Sequence, residues 1–507
     1  MTAMNPADAA PNAPWWIRAT AVLAASGVGR GAGLSPQLAA DVAMLGTGPG
    51  EGRRVPLRVV VARTGEGPGP VPLLTGLRIA DPPFVTDLLP VAVVHTGVAR
   101  PELRLSPGQA AALDRLARLL TDRRQAQLAQ EVLSAAPRTA AWLRVRAPEV
   151  LRGSFFSTGC AGTDEVARTL RRCQDLTAAA PASSALDATV ASVLSAPAVI
   201  RAHFRASPLP WAAPTSGASD PQRPHLRGSA ADGVAPAPAD RDHLYPEVVD
   251  LPVVPPDRTG TESGRALRRE ALEILHAAHL VLAVVPAAEL GGDVAPSPAI
   301  AALGGLLERV RGAPHPPAVA LVATVAEPLG ATAMADLGSW LRSRGRRTVG
   351  TAADGVPVFP LALSQAGRAV RLLDSPARRP EYAVRQAEAD CAASGLAALC
   401  DDVLRPLIDE APLKVPELTV QRLRAASRDT RLAGHDLMVR HEWAAATTPR
   451  SATGEPPRDT EAPSPRELFR EGDARRLWDR LEALTASALA ERALRQLATK
   501  GVQPRGH

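Results

Sequence analysis

Lysine is almost missing from this chain of 507 residues: Lys414 and Lys500 are the only two. The formal charge of +6 therefore rests on arginine. A surplus that small on so long a chain describes a solvated surface, and no nucleic-acid partner is expected. Cysteine is nearly as scarce. Cys160, Cys173, Cys391 and Cys400 show no Cys-x-x-Cys spacing and have no histidines near enough to complete a zinc set, so they read as buried or incidental thiols in a reducing compartment. No apolar run reaches the roughly 18 residues that span a bilayer. The N-terminus lacks a basic region ahead of an apolar signal core, so the expected location is cytoplasmic, peripheral at a membrane at most. Gly-x-Ser-x-Gly is absent, as is a Gly-x-Gly-x-x-Gly opening a strand-linked helix, and no two carboxylates fall together as an acid/base pair.

What is present is a hydrophobic content of 46%, enough for a folded core, interrupted by 49 prolines and 39 glycines that imply long irregular segments. The clearest stretch is 245–375. Val248-Val249 ahead of Asp250, His279 to Val285, Ala318 to Ala323 and Val356 to Leu361 are apolar runs without polar alternation, as expected of strands covered on both faces. Between them, Leu267, Ala271, Ile274 and Leu275, then Ile300, Leu303, Leu306, Leu307 and Val310, recur at helical spacing. A third helix carries Met334, Leu337, Trp340 and Leu341 and is expected to stop at Gly345. Strands alternating with helices predict an α/β domain with a parallel sheet.

Taken in order, 1–50 reads as a flexible N-terminal segment whose Trp15 and Trp16 pack onto the main domain, and 51–100 as the first part of the α/β domain. Residues 101–205 read as mainly helical, with Trp142 to Arg146 a candidate strand and Ala185 to Phe204 a helix. A Pro/Ala/Gly-rich linker follows at 206–240, then the main part of the domain at 241–375, a helical region at 376–443, a linker at 444–465 and a C-terminal helix within 466–507. His276 and His279, three apart, are compatible with metal binding but lack a third ligand, and helix-end roles are expected for both.

The order of landmarks resembles that of the P-loop GTPases, above all the dynamin-like GTPases of bacteria. Val59 to Leu77, with Gly65, Gly67 and Gly69 and the helix start Leu73-Leu-Thr-Gly-Leu77, is similar to that family's first strand and phosphate loop. Asp87-Leu-Leu-Pro-Val91 with Thr96 resembles the segment of the switch threonine. Val248-Val-Asp250-Leu-Pro is similar to its third motif, and Thr324 to Glu327 stand at its guanine-reading motif. The resemblance implies a P-loop GTPase-like α/β domain with a large helical insertion and C-terminal helices. It also implies a degenerate nucleotide site made of Gly65, Gly67, Gly69, Thr96, Asp250, Thr324 and Glu327.

The departures from that family are chemical. Pro70 and Val71 stand where the phosphate-loop lysine and the magnesium-binding hydroxyl are needed, and Pro68, Pro70 and Pro72 remove amides that cradle phosphate. Val253 replaces the glycine of the third motif, while Val325 and Glu327 replace the lysine and aspartate of the fourth. No catalytic residue, metal or cofactor is expected; GTP or GDP with magnesium belongs here only if the eroded site still binds. The implied function is that of a pseudo-GTPase interaction module, paired with an active dynamin-like GTPase or with itself, with a membrane surface as a further partner. Two alternatives remain open on the residues alone: an α/β enzyme with an unrecognised site, and a helical adaptor. A second register, with the third motif at Phe155-Phe-Ser-Thr-Gly159, also remains open.

Overall fold

In the computed structural model the described residues are 55–64, 69–77, 89–96, 98–153, 155–179, 184–204, 244–253, 260–290, 297–313, 315–326, 330–348, 355–373 and 380–411, with isolated positions to 422. The chain divides into a unit of Leu57–Glu410 and a second unit of Met1–Pro56 with Ala411–His507. Almost all of the second unit lies outside the described residues, and so do the expected N-terminal segment, both linkers and the C-terminal helix.

Nine strands form one sheet. They are β1 (Val55–Arg63), β2 (Val91–His95), β3 (Glu102–Arg104), β4 (Gly159–Ala161), β5 (Ala198–Ala202), β6 (Leu244–Pro252), β7 (Leu280–Pro286), β8 (Ala318–Val325) and β9 (Val358–Ala362), in the spatial order β4-β3-β5-β2-β6-β1-β7-β8-β9. The main helices are α1 (Val71–Thr75), α2 (Pro107–Leu119), α3 (Ala126–Ala135), α4 (Pro137–Leu151), α5 (Thr163–Ala179), α6 (Ser184–Val193), α7 (Glu262–Ala277), α8 (Pro298–Arg311), α9 (Ala331–Thr348), α10 (Leu363–Leu373) and α11 (Glu381–Ala393). The four apolar runs of 245–375 are β6 to β9, and α7, α8 and α9 lie between them as their periodicity predicts. The exception is the end of α9, which does not stop at Gly345 but continues to Thr348, since a single glycine inside a helix costs only about 1 kcal/mol. Val281, Leu282, Val322 and Leu361 are fully buried, so these strands have no solvent face.

The sheet departs from the all-parallel expectation on one side. β1, β7, β8 and β9 pair parallel, whereas β2 runs antiparallel to β6, and β3 antiparallel to both β4 and β5. Residues 101–205 are thus not purely helical, because they carry three strands that extend the sheet beyond β2. Ala198–Ala202 had the pattern of a helix end, yet Pro197 blocks helix continuation and the β-branched Val199 and Ile200 suit a strand wedged between β3 and β2. The expected strand at Trp142 to Arg146 is instead the middle of α4. In a strand Leu143 and Val145 share one face; here Leu143 is 2% exposed and Val145 74%, which is the helical period.

Polar side chains fix the loops that join these elements. Ser106 and Gln109 form a reciprocal capping box at the start of α2, and Gln109 Nε2 also donates to the carbonyls of Val193 and Ala196. Asp187 of α6 accepts from the backbone N–H groups of Glu262 and Ser263 at the start of α7. Partial burial pushes its carboxyl up, but the hydrogen bonds from Ser263 and Glu262 and the charge of Arg265 outweigh this and hold it below its ordinary value. A lowered folded-state value stabilises the fold above the unfolded value, near pH 4, and that contribution is lost as pH falls through the folded one. Asp187→Ala is expected to lower unfolding free energy by about 1 kcal/mol at neutral pH. Denaturant titrations of variant and wild type should differ by less below about pH 3.

Candidate functional site

β1 is the pivot of the sheet. The chain leaves it for β2, two places to one side, while β6 hands over through α7 to β7 on the other side. Such a reversal opens a crevice at the carboxyl ends of β1 and β6, where open α/β sheets place their ligands. β1 ends in Arg63 and the ladder of β6 carries Asp250 near its end.

These two side chains close on one another. Arg63 Nε donates to Asp250 Oδ1 at 2.7 Å, with the side chains 4% and 0% exposed. The N–H of Val253 donates to the Arg63 carbonyl at 3.0 Å, which keeps the chain after Asp250 against the end of β1. Gly69 completes the cluster: a Cβ there lies 3.2 Å from Arg63 Cδ, 3.6 Å from Arg63 Nε and 3.8 Å from Asp250 Oδ1. The glycine therefore serves the close approach of the loop to an arginine side chain. A second pair lies deeper in the same two strands, Arg58 Nε to Glu247 Oε2 at 2.8 Å. Arg58 meeting Glu247 and Arg63 meeting Asp250 set β1 and β6 running in the same direction.

The remaining expected site residues disperse. Val91 of β2 stands opposite Asp250 and Val94 opposite Glu247, so Thr96 follows at the far end of β6, roughly 17 Å of strand from Asp250. Its Oγ1 is buried without a hydrogen-bond partner, and its N–H donates to Ala202 at 2.9 Å. The antiparallel run of β2 is what carries Thr96 away, and sequence order could not show it. Thr324 lies on β8, two strands from β1 or roughly 10 Å, and its hydroxyl donates to Val285 O at 3.5 Å. Gly65, Gly67 and Glu327 lie outside the described residues. The alternative third motif ending at Gly159 begins β4, five places from β1 at the sheet's edge, so Asp250 is the residue that adjoins β1.

The phosphate chemistry implied by the resemblance does not fit the residues found here. The helix after the loop, α1, has five residues and ends at Gly76 in the left-handed conformation at φ 63°. Its N-cap is Pro70 and its second residue is Pro72, and neither offers an N–H. The Asp250 carboxylate, which in a GTPase faces the metal and phosphates, is engaged by a guanidinium. His279 has a structural task as well: its Nδ1 accepts the N–H of Arg58 at 3.0 Å and its own N–H donates to the Arg58 carbonyl. Among the described residues no group of three or more His, Cys, Asp or Glu could hold a metal ion.

No protein-family model matches the sequence, and neither does any curated protein. Two solved structures of an oligomerised bacterial dynamin pair, described as providing a mechanism for the long-range sensing and tethering of membranes, are similar at 10% identity with a TM-score of 0.33 and at 9% with 0.32. Each match covers 88% of this chain and 61% of the other, so the chain spans less than two thirds of their length. Among the described residues no helix is long and apolar enough to cross a membrane.

Arg63 is the residue that motif reading passed over. Its signal was a cation closing the apolar run Val59-Val-Val-Ala62, with an anion, Asp250, closing the run of another strand. Arg58 and Glu247 repeat that signal within the same strands. Charges inside strands buried on both faces need partners, and the nearest partner is on the neighbouring strand.

Proposed function

We propose that this chain is a catalytically degenerate dynamin-like GTPase homologue whose nucleotide crevice is closed by its own side chains and which works as an interaction module. The observation that carries the reading is the buried Arg63–Asp250 pair with Gly69 packed against it. A nucleotide and its metal would need this carboxylate and this space, and the guanidinium holds both. No step of hydrolysis is assigned to any residue. The segments that follow β1, β6 and β8 in sequence, 63–72, 250–262 and 325–330, are the contact face in this reading, for a second copy of this chain or an active GTPase, because partners of open α/β sheets meet the carboxyl ends of the strands.

Calorimetry on the full chain with GTP, GDP and ATP, with and without magnesium, is expected to show no binding at high micromolar nucleotide, and a hydrolysis assay no turnover. Micromolar affinity for any of the three would overturn the closed-crevice reading; turnover would overturn the degenerate one.

A further inference from the structure

Away from the crevice, α4 and α5 flank an open surface cleft of about 440 Å³ lined by Arg146, Arg152, Arg168 and Arg172 with Glu149, Glu165 and Phe155. That size falls among small-molecule sites, which run to roughly 300–1,000 Å³. Four arginines face two glutamates. Arg146 is paired with Glu149 and Arg168 with Glu165, each at 2.6 Å along its own helix. Arg152 and Arg172 have no hydrogen bond or ion pair among the described residues, which leaves the cleft two positive charges in excess.

Arg172 is held in place by rings. Its guanidinium carbon lies 5.2 Å from the centroid of Phe155 and 5.8 Å from that of Trp142, and the two rings stack at 6.1 Å with an interplanar angle of 11°. Ring contacts of this kind steady a guanidinium while leaving its N–H groups available. Trp142, stacked on Phe155, has its own Nε1 buried without an acceptor. Burial, followed by the charge of Arg146, lowers the pKa of Arg172, and the charges of Glu165 and Glu149 oppose that shift.

We infer that this cleft binds a phosphomonoester. At neutral pH such a group carries about −1.5 to −2 charge and three acceptor oxygens, matching two unpaired arginines and their fork of donors. The group has two sources, a soluble phosphorylated metabolite or the headgroup of an anionic lipid. Val145, 74% exposed, stands one turn before Glu149 on the same face of α4, and Leu151 of that helix is 57% exposed, so an apolar rim is available for lipid.

Two probes on the full chain separate the sources: inorganic phosphate by calorimetry, and flotation with phosphatidylcholine vesicles with and without phosphatidic acid. The variant is Arg152→Gln with Arg172→Gln, which keeps polar stems at both positions, and matched thermal unfolding of the two proteins verifies its fold. The expected result is binding that weakens at least tenfold in the variant and falls with added salt. Binding to phosphate alone assigns a soluble ligand, and binding that requires phosphatidic acid assigns a membrane one. Absence of both from the wild type, or either one unchanged in the folded variant, overturns the proposal. If the double variant is misfolded, Arg152→Gln alone, at an exposed position, is read by the same criteria.

Discussion

Asp250→Ala is expected to lower the free energy of unfolding by about 3–5 kcal/mol, the range found when one member of a buried ion pair is removed. The carboxylate is fully buried and 2.7 Å from Arg63 Nε, so the truncation removes a buried ionic acceptor of the desolvated guanidinium and leaves a void at the end of β1. Set against a typical total of about 5–15 kcal/mol, the loss should show as a large shift in the denaturant midpoint. Arg63→Met combined with Asp250→Leu is expected to recover most of that loss, because a well-packed apolar pair avoids the desolvation of both charges. Recovery in the double variant would locate the effect in the pair. A single Asp250→Ala variant as stable as wild type would mean that water reaches the crevice and that it is not closed in solution, which would also weaken the functional reading built on it.

Gly395→Ala is expected to cost about 2–5 kcal/mol, from a left-handed backbone and an overpacked contact together. Gly395 has φ +83°, and a Cβ there lies 2.0 Å from the carbonyl oxygen of Pro360 and 3.3 Å from Met334 Cε. The obstruction is backbone, so no rotamer relieves it. The neighbouring Ser394 explains the tightness: its carbonyl accepts the N–H of Ala362 at 2.9 Å, bringing the turn after α11 onto β9, the last strand of the sheet. That contact covers an edge that would otherwise expose unpaired backbone groups. The same change at Gly305, inside α8 with open space around its Cβ position, is expected to stabilise by about 0.5–1 kcal/mol through helix propensity. Urea titrations of the two variants should therefore move in opposite directions, and a neutral Gly395→Ala would refute the close packing of this turn on β9.

The thiols follow from burial rather than from chemistry. Burial pushes Cys391 up to about 11 and Cys400 up to about 12, while Cys173 is raised further still. Thiols so disfavoured as thiolates are poor nucleophiles and poor ligands, in keeping with spacings that resemble no metal set.

Sequence by itself determined the elements of 245–375, because an apolar run of strand length and an apolar stripe of helical period leave few alternatives when the burial is two-sided. It also fixed where lysine stands, at Lys414 and Lys500 alone, so the loop near residue 70 carries none in any register. Only the tertiary structure decided three further matters. It chose a strand for Ala198–Ala202 over a helix, as strand pairing with β2 and β3 outweighs a short ambiguous pattern. It carried Thr96 away from Asp250, because strand direction is a property of pairing and leaves no mark on spacing. It also joined Arg63 to Asp250, which are 187 residues apart. Two buried charges so distant in sequence find each other only when β1 and β6 lie side by side, and the cost of leaving either unpaired in the core is what holds them there.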